Sequence, residues 1–200
     1  MNKKILLLLF SSLIIGCSSS PNNNPSQYFS LPHIQTIPPV NKVHYPFVKV
    51  DLPNFSSKHN TEAIFYTGQK YELARYSQSE WKEPLPTLLQ EWLLQSLEHS
   101  NLFAGVMRAT SRAKVPLFLE SDIIKFQHNI KVHEVEVSIR LTLLDYNTRK
   151  ILKHKIFHYQ KTVSEVSAKG AVHSFNQILK QLEADIVAWL AVDIMGKKIR

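Results

Sequence analysis

The chain has 200 residues, 44% of them hydrophobic, 20% charged and 10% aromatic, with a formal net charge of +8 and a single cysteine. That length is one domain with enough bulk to bury a core, and one cysteine excludes an intramolecular disulfide, so stability comes from packing. The chain opens with an export pattern, and an exported protein does not meet nucleic acid, so the positive balance fits anionic lipid headgroups or an acidic protein surface.

Lys3 and Lys4 make a positive start, Ile5 to Ile15 form an apolar run broken only by Ser11 and Ser12, and small Gly16 precedes Cys17. This is the order of a bacterial lipoprotein signal peptide over residues 1–16. Gly16 supplies the small residue beside the scissile bond, and the Cys17 thiol is the nucleophile available to carry diacylglycerol. The run is about 11 residues, whereas a bilayer crossing needs about 20, which argues against a transmembrane anchor. The expected mature chain starts at Cys17 with a thioether-linked diacylglycerol and an N-acyl chain, and more than one buried chain holds a protein on a membrane stably. Beyond those covalent lipids no cofactor is expected. Ser18, rather than Asp, follows the cysteine; by resemblance to the sorting rule of diderm bacteria this favours the periplasmic face of the outer membrane.

Residues 17–27 form a lipidated tether. Ser18 to Gln27 contains no apolar residue except proline and cannot pack; fully extended it reaches roughly 30 Å. The folded domain is expected over 28–200. Tyr28-Phe29-Ser30-Leu31 predicts a short strand stopped by Pro32, and residues 33–46 an extended, proline-rich connection. Phe47 to Leu52 alternates as a strand. Residues 62–66 and 71–76 predict a hairpin around Gly68.

After Trp81-Lys82-Glu83-Pro84, the residues Leu85, Leu88, Leu89, Trp92, Leu93 and Leu97 recur at helical spacing. Pro84 and Pro86 suit a first turn, where a missing N–H costs little. The helix should stop near His99-Ser100-Asn101. Strands are expected over 103–109, 117–126, 132–144 and 151–162, with a turn over 145–150. In the third of these, Val135, Val137, Ile139, Leu141 and Leu143 point one way and Glu134, Glu136, Ser138, Arg140 and Thr142 the other, so one face is buried and one wetter. A closing amphipathic helix spans roughly 168–192, with Ala171, Val172, Phe175, Ile178, Leu179, Leu182, Ile186 and Leu190 on its stripe, and a basic tail follows. The expected fold is α+β: a largely antiparallel sheet with two amphipathic helices packed on one face.

The pattern offers no catalytic constellation. The glycines are isolated, so no phosphate-binding loop forms, and no Gly-x-Ser-x-Gly elbow is present. His154 and His158 lie about 13 Å apart along a strand, too far to share one zinc ion. His133-Glu134 lacks the helical His-Glu-x-x-His spacing, so the histidines read as surface or sheet-face residues rather than metal ligands. Residues 125–161 carry eight basic and three acidic side chains. A solvated, aggregation-blocking face accounts for these; the sharper alternative is a docking surface for an acidic partner or headgroups. Trp81, Glu83, Pro84 and Leu85 carry two readings. Either Trp81 staples the start of the helix against Leu88 as part of the core, or these four residues contact a partner.

The lipobox, Tyr28-Phe29-Ser30-Leu31-Pro32, Val50-Asp51-Leu52-Pro53, Glu62-Ala63-Ile64-Phe65-Tyr66, the Trp-x-Glu-Pro-Leu motif at 81–85 and the closing Ile186-Val187-Ala188-Trp189-Leu190 together resemble the ABC-type transport auxiliary lipoproteins, the PqiC/YmbA-like group. The resemblance spans nearly the whole mature chain, and Trp-x-Glu-Pro-Leu is its most specific element. It implies a non-enzymatic component of an envelope lipid-transport system that supports membrane integrity. The implied partners are an MCE-domain protein bridging the periplasm and further copies of the chain in a ring-like homo-oligomer. The alternative is a structural or assembly-factor lipoprotein serving another outer-membrane complex.

Overall fold

Alternation of apolar and polar residues through the middle of the chain produces three long neighbouring strands, and the remaining elements are built onto them. The computed structural model describes residues 26–32, 39, 45–55, 60–68 and 72–192. The signal peptide, Cys17, most of the tether and of the 33–46 connection, and the basic tail lie outside the described residues. In chain order the elements are β1 (Gln27–Phe29), β2 (Val48–Val50), β3 (Ala63–Thr67), β4 (Ala74–Trp81), α1 (Leu85–Ser100), β5 (Val106–Arg108), β6 (Leu117–Asn129), β7 (Glu134–Asp145), β8 (Lys150–Thr162) and α2 (Ala168–Ala191).

β6, β7 and β8 pair antiparallel in sequence order. At the β7–β8 turn, Asp145 Oδ1 accepts from the amides of Asn147 and Thr148, and Arg149 takes the left-handed conformation at φ 58°. The other edge of β6 is shared between two strands. β2 lies parallel along its start, Val48 to Val50 against Leu117 to Leu119. β3 lies parallel along its end, with Tyr66 and Thr67 against His128 and Asn129. β5 then extends β2 in parallel. β4 extends β3 as the expected antiparallel hairpin, and β1 adds in parallel to β4. Among the described residues four of the seven strand pairings are thus parallel. The eight-stranded sheet is mixed, which corrects the expectation of a largely antiparallel one. Alternation reports which face of a strand is buried, not the direction of its neighbour. Parallel neighbours need long crossovers, and here β3, β4 and α1 lie between β2 and β5.

The division of the β6 edge leaves a local mark. Register with β7 shifts between Ile123 and Lys125. Before the bulge Leu117, Leu119, Ser121 and Ile123 are buried; after it the buried positions are Phe126 and His128, and Ile124 is turned out at 41% exposure. A bulge bends and twists its strand, and here it falls where the neighbour of β6 changes from β2 to β3. Asn54 bridges the junction, its N–H donating to the Ser121 carbonyl and its carbonyl accepting from the Ile123 N–H, both at 2.8 Å.

Both helices start and stop for local reasons. Pro84 precedes α1 and Pro86 sits within its first turn; Asn101 closes it in the left-handed conformation at φ 56°. Ser167 Oγ caps α2 by accepting from the Gly170 N–H at 3.1 Å. Gly170 is required there, because a Cβ would stand 2.1 Å from the Glu165 carbonyl oxygen. At the far end of α2, Lys153 Nζ reaches over from β8 to donate to the Trp189 carbonyl at 2.6 Å. Tyr45 Oη donates to that of Leu190 at 2.7 Å, so orphan carbonyls of the last turn find partners.

The inward faces of both helices and of the sheet form one core. The five apolar positions read from alternation in β7 are all at most 3% exposed. Trp81 meets Phe126 edge-on at 6.1 Å and Phe175 at 6.3 Å, while Phe126 and Phe175 stack at 4.3 Å. This aromatic trio ties β4, β6 and α2 together, and Trp81 is 1% exposed. Removing a fully buried indole leaves a cavity the surroundings fill only partly. Trp81→Ala is therefore expected to lower stability by about 3–5 kcal/mol in urea denaturation; a surface role for Trp81 would leave the midpoint almost unchanged.

Candidate docking surface

β4 ends at Trp81, whose N–H donates to the Glu62 carbonyl at 2.6 Å; the next N–H, of Lys82, donates to Phe29 at 2.8 Å. These bonds hold the turn that follows. Glu83 is exposed, Pro84 half-buried and Leu85 buried. Within the Trp-x-Glu-Pro-Leu motif, Trp81 and Leu85 therefore pack into the domain's own core, and the side chains open to a partner are Lys82, Glu83 and Pro84. Thr87 and Leu88 donate their N–H groups back to the Pro84 carbonyl at 2.9 and 3.2 Å, fixing the direction of α1.

That direction sets Pro86 against the segment after β2. Asp51, Leu52, Pro53, Asn54, Phe55, Asn60 and Pro86 line an open cleft of about 700 Å³. The segment after β2 and the first turn of α1, remote in sequence, thus meet on one surface. Leu52 is 47% exposed there. β2 stops at Val50, and Asp51 Oδ1 accepts from the Leu52 N–H at 2.9 Å, a local turn that takes Leu52 out of the strand's inward set. Asn54 Nδ2 donates to Asp122 Oδ1 at 3.1 Å, and Arg140 pairs with the other Asp122 oxygen at 3.3 Å. Gln90, buried on α1, donates to the Val50 carbonyl at 3.2 Å and accepts from Arg108 of β5 at 2.9 Å. Arg108 also pairs with Glu91. These bridges hold α1 in place over β2 and β5, and with it the cleft wall.

Two further clefts are lined by described residues. One, of about 660 Å³, lies between β8 and the end of α2 and is lined by Lys153, His154, Lys155, Asp185, Ala188, Trp189 and Val192. Its Lys153 serves the carbonyls of α2, and Asp185 accepts from the Tyr159 hydroxyl, whose pKa is raised by burial and by that carboxylate. The other lies beside Tyr66 and Tyr76. Among the described residues no three His, Cys, Asp or Glu side chains converge as metal ligands would, and no helix is long and apolar enough to cross a membrane.

His128 lies on the inward, not the solvent-facing, face of the sheet. It is fully buried, with Nδ1 2.7 Å from the Tyr76 hydroxyl and, among the described residues, no hydrogen-bond partner for Nε2. The β6 bulge turns this even-numbered position inward, and nothing in the local alternation signals it. Burial, with His133 adding to it, pushes the His128 ring below its ordinary pKa. Burial, with Tyr66 adding to it, pushes the Tyr76 hydroxyl up to about 12.

The family model described as "ABC-type transport auxiliary lipoprotein component" matches residues 29–187. No curated protein matches the chain. Among solved structures, protein XCC0632 from Xanthomonas campestris aligns with a TM-score of 0.69 at 16% identity, over 82% of this chain and 94% of that one. An uncharacterized protein aligns at 0.66 and 14% identity, over 82% and 97%. At these identities the likeness shows the fold. A PelC dodecamer from Paraburkholderia phytofirmans aligns at only 0.40 and 13% identity, over 66% and 84%, too distant to bear on assembly.

The buried imidazole has a measurable consequence. Its folded pKa lies below the unfolded value of about 6.5, so its full contribution to stability is present above that pH. As pH falls below it toward the lowered folded value, the unfolded chain takes the proton first and stability is lost. His128→Gln keeps a hydrogen-bonding group near Tyr76 and removes the titration. Between about pH 7 and pH 5 the urea midpoint of the wild type is expected to fall more than that of His128→Gln; equal slopes would exclude His128 as a source of the acid sensitivity.

Proposed function

Because this chain belongs to the ABC-type transport auxiliary lipoprotein family, and is an envelope-associated auxiliary component of such a system rather than an enzyme, we propose that it serves envelope lipid transport as an outer-membrane-anchored dock for a periplasm-spanning MCE-domain protein. The observation that carries this reading is the family match over residues 29–187. Cys17, with its diacylglycerol and N-acyl chain, is the anchor, and Ser18 directs the protein to the outer membrane. The role is positional: the tether holds a folded module close to one membrane, where it receives the partner and supports membrane integrity.

The surface best suited to that partner is the cleft of Leu52, Pro53 and Pro86, with exposed Glu83 and half-buried Pro84 just ahead of α1 in the chain. An exposed apolar side chain between prolines, on segments pinned from beneath, is a pre-organised contact that loses little freedom on binding. Copies of the chain form a ring around the docked component. The tagged protein, purified from envelopes in mild detergent, is expected to recover an MCE-domain protein. Recovery of a barrel protein or peptidoglycan fragments instead, with no MCE-domain protein, would overturn the reading in favour of an assembly or structural lipoprotein.

A further inference from the structure

β1 shows from which side the chain reaches the domain. It runs parallel to β4, Gln27 beside Ser79 and Phe29 beside Trp81. β4 starts at Ala74, level with Tyr66 of β3, and Tyr66 is level with His128 near the end of β6. The chain therefore enters β1, at Ser26 and Gln27, from the side of the domain where β3 and β6 finish and β4 begins. Ile130 donates its N–H to the Thr67 carbonyl at 3.0 Å, and Val163 donates its N–H to that of His133 at 2.8 Å. The β6–β7 turn and the loop before α2 thus gather at the same end.

This end is apolar where surface loops are ordinarily polar. Leu73 is 39% exposed, Val132 55% and Val166 46%. Val166 and Ile130 share a cleft of about 370 Å³ with Tyr66 and Tyr76. Arg75 lines the same cleft, and exposed Lys131, Lys161 and Lys169 belong to the strand ends and loops of this end, against exposed Glu72 and Glu165. Long basic side chains around small apolar tips match a headgroup boundary, where the tips enter and the cations meet lipid phosphate.

The tether supports the same face. On the proposed reading that Cys17 is lipidated, nine residues, Ser18 to Ser26, separate the anchor from β1, with a maximum span of about 30 Å. The opposite end of the sheet, where β6 begins at Leu117, lies about 30 Å further along the strands. Seating that end on the membrane would draw the tether out almost fully, at a cost in chain entropy. We propose that the end of the domain carrying Leu73, Val132 and Val166 rests on the membrane that holds the anchor, which turns the opposite end, with Arg112, Lys114, Tyr146 and Arg149, toward the periplasm. This orientation rests on the anchor reading above.

The sequence has no cysteine besides Cys17, so introduced cysteines report single positions. Val132→Cys, Val166→Cys and Tyr146→Cys are labelled with a polarity-sensitive fluorophore in the full-length lipidated protein. Each is then reconstituted in phosphatidylethanolamine–phosphatidylglycerol vesicles containing brominated acyl chains. Quenching several-fold stronger at 132 and 166 than at 146 is expected. Equal quenching at all three sites, or stronger quenching at 146, overturns the orientation. The wild type tests the anchor separately: a lipidated Cys17 takes up no label, whereas a labelled wild type overturns the anchor reading and the orientation with it. Thermal melts matching the wild type establish that each variant is folded, and Lys131→Cys reports the same turn if Val132→Cys is unstable.

Discussion

The contact of Trp81 with Phe126 and Phe175 fixes the relation between the sheet and the helices. Trp81 is the last residue of β4, and α1 begins four residues later, so burying this indole determines where α1 sets out. Pro84 and Pro86 leave the intervening turn few conformations, and the Trp81 and Lys82 amides are already bonded to neighbouring strands. Pro86, in the first turn of α1, then lies against the segment after β2. A motif whose heaviest side chain is wholly internal thus shapes a surface cleft, by holding the backbone that carries Glu83, Pro84 and Pro86.

The second constraint is the shared edge of β6. One long strand accepts β2 on its first half and β3 on its second, with a bulge at Ile124 between them. The bulge also reverses which residues face the core. His128 is buried for this reason, in a medium that favours its neutral form. The outer face of β6, β7 and β8 is left to exposed pairs such as Lys125–Glu136 and Arg140–Asp122. Such pairs add little stability each and accord with the solvated face read from the charges of residues 125–161.

Where structure follows from local periodicity, the sequence was a close guide. The limits of α1 lay in Pro84, Pro86 and Asn101, the inward sets of α2 and β7 in their periodicity, and the β3–β4 hairpin in Gly68, whereas the Ser167 cap of α2 was seen only in the structure. Strand direction was not legible, because Val48-Lys49-Val50 alternates identically whether its neighbour runs parallel or antiparallel. The convergence of Leu52 with Pro86 was equally hidden, since it depends on α1 crossing over β2 through the Gln90–Val50 bond. The two readings of Trp81-x-Glu-Pro-Leu divide by residue: Trp81 and Leu85 are core, while Glu83 and Pro84 retain the surface.

On the proposed function, domain, tether and anchor contribute position rather than chemistry. The central claim is that the cleft at Leu52 and Pro86 docks the transport component. Its most direct test places a photo-cross-linking amino acid at Leu52 in the lipidated protein and irradiates intact cells. The account predicts a cross-linked product containing an MCE-domain protein, absent when the photoreactive group is instead placed at Ile156 on the outer face of β8. Cross-links from Leu52 solely to a barrel-assembly protein, or equal MCE capture from both positions, would contradict it.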